Sequence, residues 1–186
     1  MKIENTKIEN TKIEDIKVIT PKVFNDNRGC FFETFKSNAF LNQGLPENFV
    51  QDNEVRSKKD VLRGLHYQLK KPQGKLVRVV YGNILDVAVD IRTGSPTFGQ
   101  YHLVELSAEN KKIFFIPEGF AHGYLVTSPD SIVLYKCTNL YDEKDEYGIR
   151  WDDKTIDIKW GDVNPILSIR DQNLPTLNAQ SFLPKY

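Results

Sequence analysis

The sequence predicts an all-β domain, built as a sandwich or a barrel rather than as a βαβ sheet. Short runs rich in Val, Ile, Phe and Tyr follow one another at close spacing, and Gly, Pro, Asn and Ser separate them. Only the stretch SNAFLNQGL, residues 37–45, has a helical pattern. The sequence contains no GxGxxG motif and no P-loop, which argues against a Rossmann or Walker nucleotide site.

The predicted strands follow this helical segment in chain order. They are VLRGLHYQ (61–68), KLVRVVYG (75–82), ILDVAVDIR (84–92), YHLVELS (101–107), KIFFIPEGFAHGYLV (112–126) and SIVLYKCTNLY (131–141). The fifth run contains a turn, because Pro117 fixes the backbone on one side and Gly119 permits a positive φ. His122 therefore falls just inside the strand that follows the turn.

The N-terminus repeats itself, with KIENT at 2–6 and 7–11 and KIED at 12–15. A five-residue period matches no solenoid unit, and three copies bury almost no apolar surface. We therefore expect residues 1–11 to form a polar extension without a functional role, and residues 12–186 to form a single domain.

Composition excludes several classes of protein. The 25 Lys and Arg residues balance the 25 Asp and Glu residues, so we expect neither a nucleic acid nor a membrane surface as the main partner. Two cysteines are too few for a disulfide framework. No apolar run reaches the roughly 18 residues of a membrane span, and the N-terminus lacks the apolar core of a signal peptide. A cytoplasmic protein is the expectation.

The turn PEGFAH at 117–122 resembles the second motif of the cupins, which are small double-stranded β-helix jelly rolls. The first cupin motif usually supplies two histidines as HxH and a Glu, which bind a metal together with the later His. Here GLHYQ holds the single His66, and His102 lies in a different strand. Because a metal needs several convergent ligands, we expect neither a metal nor a cofactor.

Six blocks of the chain, in order and without large gaps, resemble the dTDP-4-dehydrorhamnose 3,5-epimerase family. They are PKVFNDNRGCFFETF, QDNEVRSKKDVLRGLHYQ, QGKLVRVVYGNILDVAVDIRTGSPTFGQ, FIPEGFAHGYLV, LYKCTNLYDEKDEYGIRWDD and PILSIRDQNLP. The resemblance extends from about residue 12 to about residue 175 and leaves out the N-terminal repeat. It implies an isomerase with a cupin-type jelly roll, short helices and a homodimer that exchanges N-terminal strands.

The substrate that the family implies is a dTDP-linked 4-keto-6-deoxyhexose, whose C4 carbonyl acidifies the protons on C3 and C5. Inverting both centres of the D-gluco sugar gives dTDP-4-keto-L-rhamnose, for dTDP-L-rhamnose biosynthesis. The reaction needs a base, a proton donor on the opposite face, and a group that stabilises the enolate oxygen. By resemblance, His66 is the base and Asp171 is the carboxylate that orients it. Tyr135 matches the donor, and Lys75 matches the cation near O4.

The family also implies a set of substrate-binding residues. Arg63 and Arg28 match diphosphate contacts, since a guanidinium fork fits phosphate better than an ammonium does. Gln51 and Asn53 match positions near the base and the phosphates, and Phe31 and Glu33 match a nucleoside patch shared with the neighbouring subunit. His122 matches a residue that hydrogen-bonds to the sugar. Tyr141 lines the same cavity if its strand stays regular.

Arg63 and His66 raise a question of geometry. Their separation is odd, so simple alternation would place them on opposite faces of a strand. Gly64 lies between them and permits a bulge that turns both side chains inward. The sequence thus predicts an irregular strand here if both residues serve one site.

Each candidate also has a purely structural explanation. His66 would be a satisfied strand histidine, Tyr135 a core aromatic, Asp171 a turn residue and Lys75 an ordinary lysine at a strand start. Three other functions stay open. They are a mono-epimerase or ketoisomerase of a related deoxysugar pathway, a non-catalytic sugar-nucleotide-binding cupin, and a metal-dependent cupin oxygenase.

Overall fold

The computed structural model describes residues 7–186, which form two facing antiparallel sheets and a separate short hairpin. The strands are β1 (Lys7–Asn10), β2 (Lys17–Thr20), β3 (Phe24–Asp26), β4 (Gly29–Phe31), β5 (Gln51–Lys58), β6 (Leu62–Gln68), β7 (Lys75–Tyr81), β8 (Asn83–Asp90), β9 (Tyr101–Ser107), β10 (Ile113–Ile116), β11 (Phe120–Val126), β12 (Asp130–Cys137) and β13 (Glu146–Gly148). The first sheet has the order β1-β2-β10-β7-β12-β5, and the second has the order β13-β6-β11-β8-β9. Strands β3 and β4 form the hairpin.

The helices are short, as the sequence predicts. They are α1 (Ser37–Leu41), α2 (Ile169–Gln172) and two 3₁₀ turns at Glu143–Asp145 and Leu177–Ala179. The predicted helical segment at 37–45 is confirmed, although the helix ends at Leu41. The all-β prediction is confirmed too, and the architecture is a cupin-type jelly roll. Within residues 7–186, no helix is long and apolar enough to cross a membrane.

Alternation along the strands divides the apolar residues between two faces. On β7, Val77 and Val79 point between the sheets, where they pack with Phe114 and Phe120. Leu76 points the other way and packs beneath α1. Because several strands are covered on both faces, their apolar runs are continuous rather than alternating.

A third apolar cluster covers the outer face of the second sheet. Val87 and Val89 of β8 pack there against Trp160 and Leu177 from the C-terminal segment. The side chains between the sheets thus define an interior that is closed on both sides. Polar residues that enter this interior need a specific reason to be there.

The N-terminal repeat is partly built into the first sheet. The polar extension expected from the sequence includes residues 7–10. These residues form β1 and pair with β2 from Lys7↔Thr20 to Asn10↔Lys17. Ile8 packs against the cluster beneath α1. Residues 1–6 lie outside the described residues.

The predicted irregularity between Arg63 and His66 is present. Strand β11 pairs His122 with His66 and Tyr124 with Arg63, and the register shifts between these two pairs. Gly64 and Leu65 of β6 therefore oppose the single residue Gly123 of β11, which is a β-bulge. Gly64 lies in it with a φ of 118°. A Cβ at this position would lie 2.6 Å from Gly123 Cα, so only glycine fits.

Candidate active site

A cavity of about 390 Å³ opens between the two sheets. Nine of the twelve residues proposed from the sequence line it. They are Gln51, Asn53, Arg63, His66, Lys75, His122, Tyr135, Tyr141 and Asp171. Both sheets contribute, since β6 and β11 belong to one and β5, β7 and β12 to the other. The bulge at Gly64 explains why Arg63 and His66 both reach this cavity.

His66 and Asp171 form a hydrogen-bonded pair. The distance from His66 Nε2 to Asp171 Oδ1 is 2.7 Å, and Asp171 is buried. Asp171 lies in α2, whose N-cap residue Ser168 accepts a hydrogen bond from the Asp171 backbone N–H. The short helix therefore sets the direction of the carboxylate.

The charge of Asp171 follows from its contacts. Burial by itself raises the pKa of this carboxyl, but hydrogen bonds from His66, Ser168 and the backbone of Gly64 outweigh burial and hold the pKa below its ordinary value. An ionised Asp171 accepts the Nε2–H of His66. Nδ1 is then left without a proton in the neutral ring, as a base requires.

Glu146 is a site residue that sequence reasoning missed. It lies on β13, and its Oε1 is 3.9 Å from His66 Nδ1. Its Oε2 accepts a hydrogen bond from the Tyr141 hydroxyl at 2.8 Å and pairs with Arg170. The acidic stretch DEKDE holds several equivalent carboxylates, so no local signal distinguishes Glu146 from its neighbours.

Lys75 lies at the start of β7 and is buried. Burial lowers the pKa of its ammonium, while the carboxylates of Glu146 and Asp86 oppose that shift. A cation that has lost most of its water interacts strongly with any negative charge that develops beside it. Lys75 can therefore stabilise an oxyanion in this cavity.

Tyr135 enters the cavity from β12, in the sheet opposite the one that carries His66. Burial raises the pKa of its hydroxyl to about 12, and the Glu146 carboxylate adds to the effect. The hydroxyl keeps its proton at neutral pH. Tyr135 and His66 thus face a molecule held between the sheets from opposite sides.

His122 is buried and contacts a second carboxylate that sequence reasoning missed. The distance from His122 Nε2 to Asp86 Oδ1 is 2.6 Å, and Asp86 is fully buried on β8. The apolar strand LDVAVDIR contains both Asp86 and Asp90, so sequence alone could not tell which of the two contacts a histidine of the cavity.

The polar residues at the mouth are held by one another. Gln51 donates to Asn53 Oδ1 at 3.0 Å, and Gln51 Oε1 accepts from the backbone N–H of Tyr141 at 2.7 Å. Arg63 donates from Nε to Ser57 Oγ at 3.1 Å. Tyr141 lines the cavity from a loop. The strand expected to continue regularly to Tyr141 ends at Cys137, so the condition for expecting Tyr141 in the cavity is wrong, although Tyr141 does line it.

Arg28, Phe31 and Glu33 do not line this cavity. Arg28 lies beside the turn of the β3–β4 hairpin and pairs with Asp26 at 2.7 Å. Phe31 is 64% exposed at the end of the hairpin. A single chain therefore does not bring these three residues to the site formed by the others.

The donor set does not suggest a metal. Among residues 7–186, no group of three or more His, Cys, Asp and Glu side chains is arranged to hold an ion. The position where a second histidine of an HxH motif would stand is Gln68, which donates to the backbone carbonyl of Lys71.

Comparisons with known proteins agree on one family. The model of the dTDP-4-dehydrorhamnose 3,5-epimerase family matches residues 10–179. A dTDP-4-dehydrorhamnose 3,5-epimerase of Methanothermobacter thermautotrophicus is 56% identical over 142 residues, covering 76% of this chain and 77% of that protein.

Solved structures give the same picture. A dTDP-6-deoxy-D-glucose-3,5-epimerase from Legionella pneumophila Philadelphia 1, in complex with dTDP-4-keto-L-rhamnose, is similar with a TM-score of 0.95 and 46% identity. The match covers 98% of this chain and 99% of that chain. A 3'-monoepimerase from Streptomyces bikiniensis, in complex with dTDP-quinovose, has a TM-score of 0.90 and 34% identity, over 95% of this chain and 92% of that one.

Proposed function

Because this chain belongs to the dTDP-4-dehydrorhamnose 3,5-epimerase family, we propose that His66, Asp171, Tyr135 and Lys75 are its catalytic residues. The chain is an isomerase that inverts C3 and C5 of dTDP-4-keto-6-deoxy-D-glucose and releases dTDP-4-keto-L-rhamnose. The observation that best supports the residue roles is the His66–Asp171 pair, which lies in a cavity whose opposite wall carries Tyr135.

The first half-reaction is a proton abstraction. The C4 carbonyl makes the C3 and C5 protons acidic, and Nδ1 of His66 removes one of them. The electron pair of the broken C–H bond moves toward O4, which becomes an enolate oxygen. The Lys75 ammonium stabilises that negative charge, and the low polarity of its surroundings strengthens the interaction.

The second half-reaction returns a proton to the other face of the sugar. Tyr135 donates its hydroxyl proton to the same carbon, and the enolate collapses to the ketone with inverted configuration. Tyr135 then regains a proton from water, and His66 loses its proton to water. Water gives one proton and takes one back in each cycle, so nothing is consumed. Repeating the cycle at the second carbon completes the double epimerisation.

Substrate binding involves the remaining cavity residues. Arg63 contacts the diphosphate, Gln51 and Asn53 lie near the phosphates and the base, and His122 and Tyr141 border the sugar. Their shared position on the wall of one cavity supports this assignment. A cytoplasmic location stays a prediction from the sequence.

Arg28, Phe31 and Glu33 bind substrate in a neighbouring subunit of a homodimer. What supports this arrangement is that the β3–β4 hairpin is exposed and turned away from the cavity of its own chain. The hairpin would then supply a guanidinium and an aromatic face to the nucleoside diphosphate bound in the partner.

Deuterium incorporation tests the proposal. The purified protein is incubated with dTDP-4-keto-6-deoxy-D-glucose in D₂O, and the sugar is examined by NMR. We expect deuterium at both C3 and C5 together with inversion at both. Incorporation at one carbon only would support the second candidate, a mono-epimerase. The similarity to the Streptomyces bikiniensis monoepimerase is the observation that favours this candidate. No incorporation would reduce the chain to a sugar-nucleotide-binding cupin.

A further inference from the structure

Asp86 is a fully buried carboxylate behind His122, which lines the cavity, and the catalytic steps do not use it. It lies on β8, where its side chain points between the sheets with those of Ile84 and Ala88. Oδ1 lies 2.6 Å from His122 Nε2. Oδ2 has no hydrogen-bond partner among residues 7–186. A buried carboxylate oxygen without a partner is costly and calls for an explanation.

The charges around Asp86 all belong to the site. Burial raises the pKa of Asp86. The charge of His122, the hydrogen bond to His122, the backbone N–H of Val87 and the charge of Lys75 act against that shift. His122 and Lys75 both line the cavity, whereas Asp86 does not. Any effect of Asp86 on a bound sugar must therefore pass through His122 or Lys75.

A second buried carboxylate on the same strand shows what a structural role looks like. Asp90 is four residues further along β8 and is also fully buried. Its two oxygens accept hydrogen bonds from Arg92, Ser95 and Thr97. Asp90 is thus saturated by partners that form a turn, while Asp86 has one side-chain partner, His122, and an oxygen without a partner among residues 7–186.

We propose that Asp86 is a positioning residue for the epimerisation. It fixes the ring of His122 against the sugar, and its negative charge balances the Lys75 ammonium, which lies beside the developing C4 oxyanion. The first half of this role is geometric. With Nε2 of His122 bound to Asp86, the opposite edge of the ring is presented to the cavity. The inference rests on the roles of Lys75 and His122 given under the proposed function.

The second half of the role is electrostatic. Three titratable groups act on Lys75, namely the Cys137 thiol on β12 and the carboxylates of Glu146 on β13 and Asp86 on β8. Burial raises the pKa of the Cys137 thiol, so this group is uncharged at neutral pH. Of the two carboxylates, Asp86 is the one that is fully buried, and among residues 7–186 its ion pair is with His122 alone. Removing its charge leaves the Lys75 ammonium less stable, so the lysine loses its proton at lower pH.

Asp86→Asn tests the inference, because it removes the charge and keeps the shape and one acceptor oxygen for His122. We expect kcat to fall about 10- to 100-fold, as is typical when a supporting residue of a site is lost, with KM changed by less than about 3-fold. The alkaline limb of the pH profile of kcat/KM should move to lower pH. Both parameters are measured with dTDP-4-keto-6-deoxy-D-glucose.

Asp90→Asn is the matched control. It removes a carboxylate of equal burial from the same strand and the same face, so it should lower Tm without moving the alkaline limb. If Asp86→Asn lowers Tm but keeps wild-type kcat and a wild-type pH profile, Asp86 is only structural and the inference is wrong.

A further variant tests the inference even if the Asp86→Asn protein does not fold. His122→Gln keeps a donor to Asp86 and the charge of Asp86 itself, so kcat should fall while the alkaline limb stays in place. A wild-type kcat, or a limb that moves, would overturn the inference. Failure of the proposed function looks different, since the wild-type protein would then show no deuterium exchange at C3 or C5.

Discussion

Asp171 Oδ1 lies 2.7 Å from Nε2 of His66, although the two residues are 105 positions apart in the chain. The contact joins β6 to the short helix α2, and the Ser168 cap and the Gly64 backbone hold the carboxylate in place. The arrangement leaves Nδ1 of His66 as the basic atom.

His66→Ala and Asp171→Asn should separate the base from its partner. His66→Ala removes the base and should abolish turnover and solvent exchange at both C3 and C5. Asp171→Asn keeps the size of the side chain but no longer selects the tautomer, so kcat should fall roughly 10²- to 10⁴-fold. Steady-state kinetics and NMR exchange measure both effects. Wild-type exchange in a folded His66→Ala protein would show that another group is the base.

Tyr135→Phe should uncouple exchange from inversion. The substitution keeps the ring and its packing but removes the donor hydroxyl, so His66 can still abstract a proton and return it to the same face. We expect deuterium to enter the substrate while little inverted product forms, with the loss in kcat rather than in KM. Exchange and inversion are followed side by side in D₂O.

A structural Tyr135 predicts a different outcome. Exchange and inversion would then fall together with Tm, or none of the three would change. Equal loss of exchange and inversion in a well-folded Tyr135→Phe protein would therefore contradict its role as the proton donor.

Gly64→Ala should damage both stability and activity. A Cβ at Gly64 would lie 2.6 Å from Gly123 Cα and from the His122 carbonyl oxygen, and backbone atoms cannot move aside cheaply. With the added strain of a φ of 118°, we expect a loss of about 3 kcal/mol or more in the free energy of unfolding. Denaturant titration measures it.

Gly44→Ala is the control for that experiment. Gly44 also has a positive φ, of 70°, but a Cβ there would meet nothing within 4 Å. Its cost should be about 1 kcal/mol, with normal activity. Equal losses in the two variants would mean that the close approach of β6 and β11 at the bulge is not what requires glycine.

The His66–Asp171 pair should also make stability depend on pH in acid. The pKa of Asp171 is held below its ordinary value in the folded chain. Its contribution to stability is therefore complete above the unfolded pKa of about 3.9 and is lost as the pH falls through the lower folded value. Between about pH 4 and pH 2, the Tm of the wild-type protein should fall more steeply than that of Asp171→Asn. Calorimetry at several pH values decides this, and parallel curves would contradict the expected linkage.

The sequence was sufficient to predict the class of fold and the family. Runs such as YHLVELS match the observed strand without a shift, because the preference of β-branched and aromatic residues for strands and the turn chemistry of Gly119 and Pro117 are local properties. The bulge at Gly64 was predictable as well, since an odd separation of two inward-facing residues requires one. The roles of the residues themselves stay predictions.

The tertiary structure decided which residues share the cavity. Strand pairings that no local pattern encodes bring Glu146 to the cavity and place Asp86 against His122 behind it. Tyr141 reaches the cavity from a loop after β12 ends. Arg28 lies on the exposed β3–β4 hairpin, where it pairs with Asp26 and does not line the cavity. The physical reason is that a carboxylate or a tyrosine has the same local preferences whether it faces water or a site. Only the register of distant strands determines which charges meet inside the jelly roll.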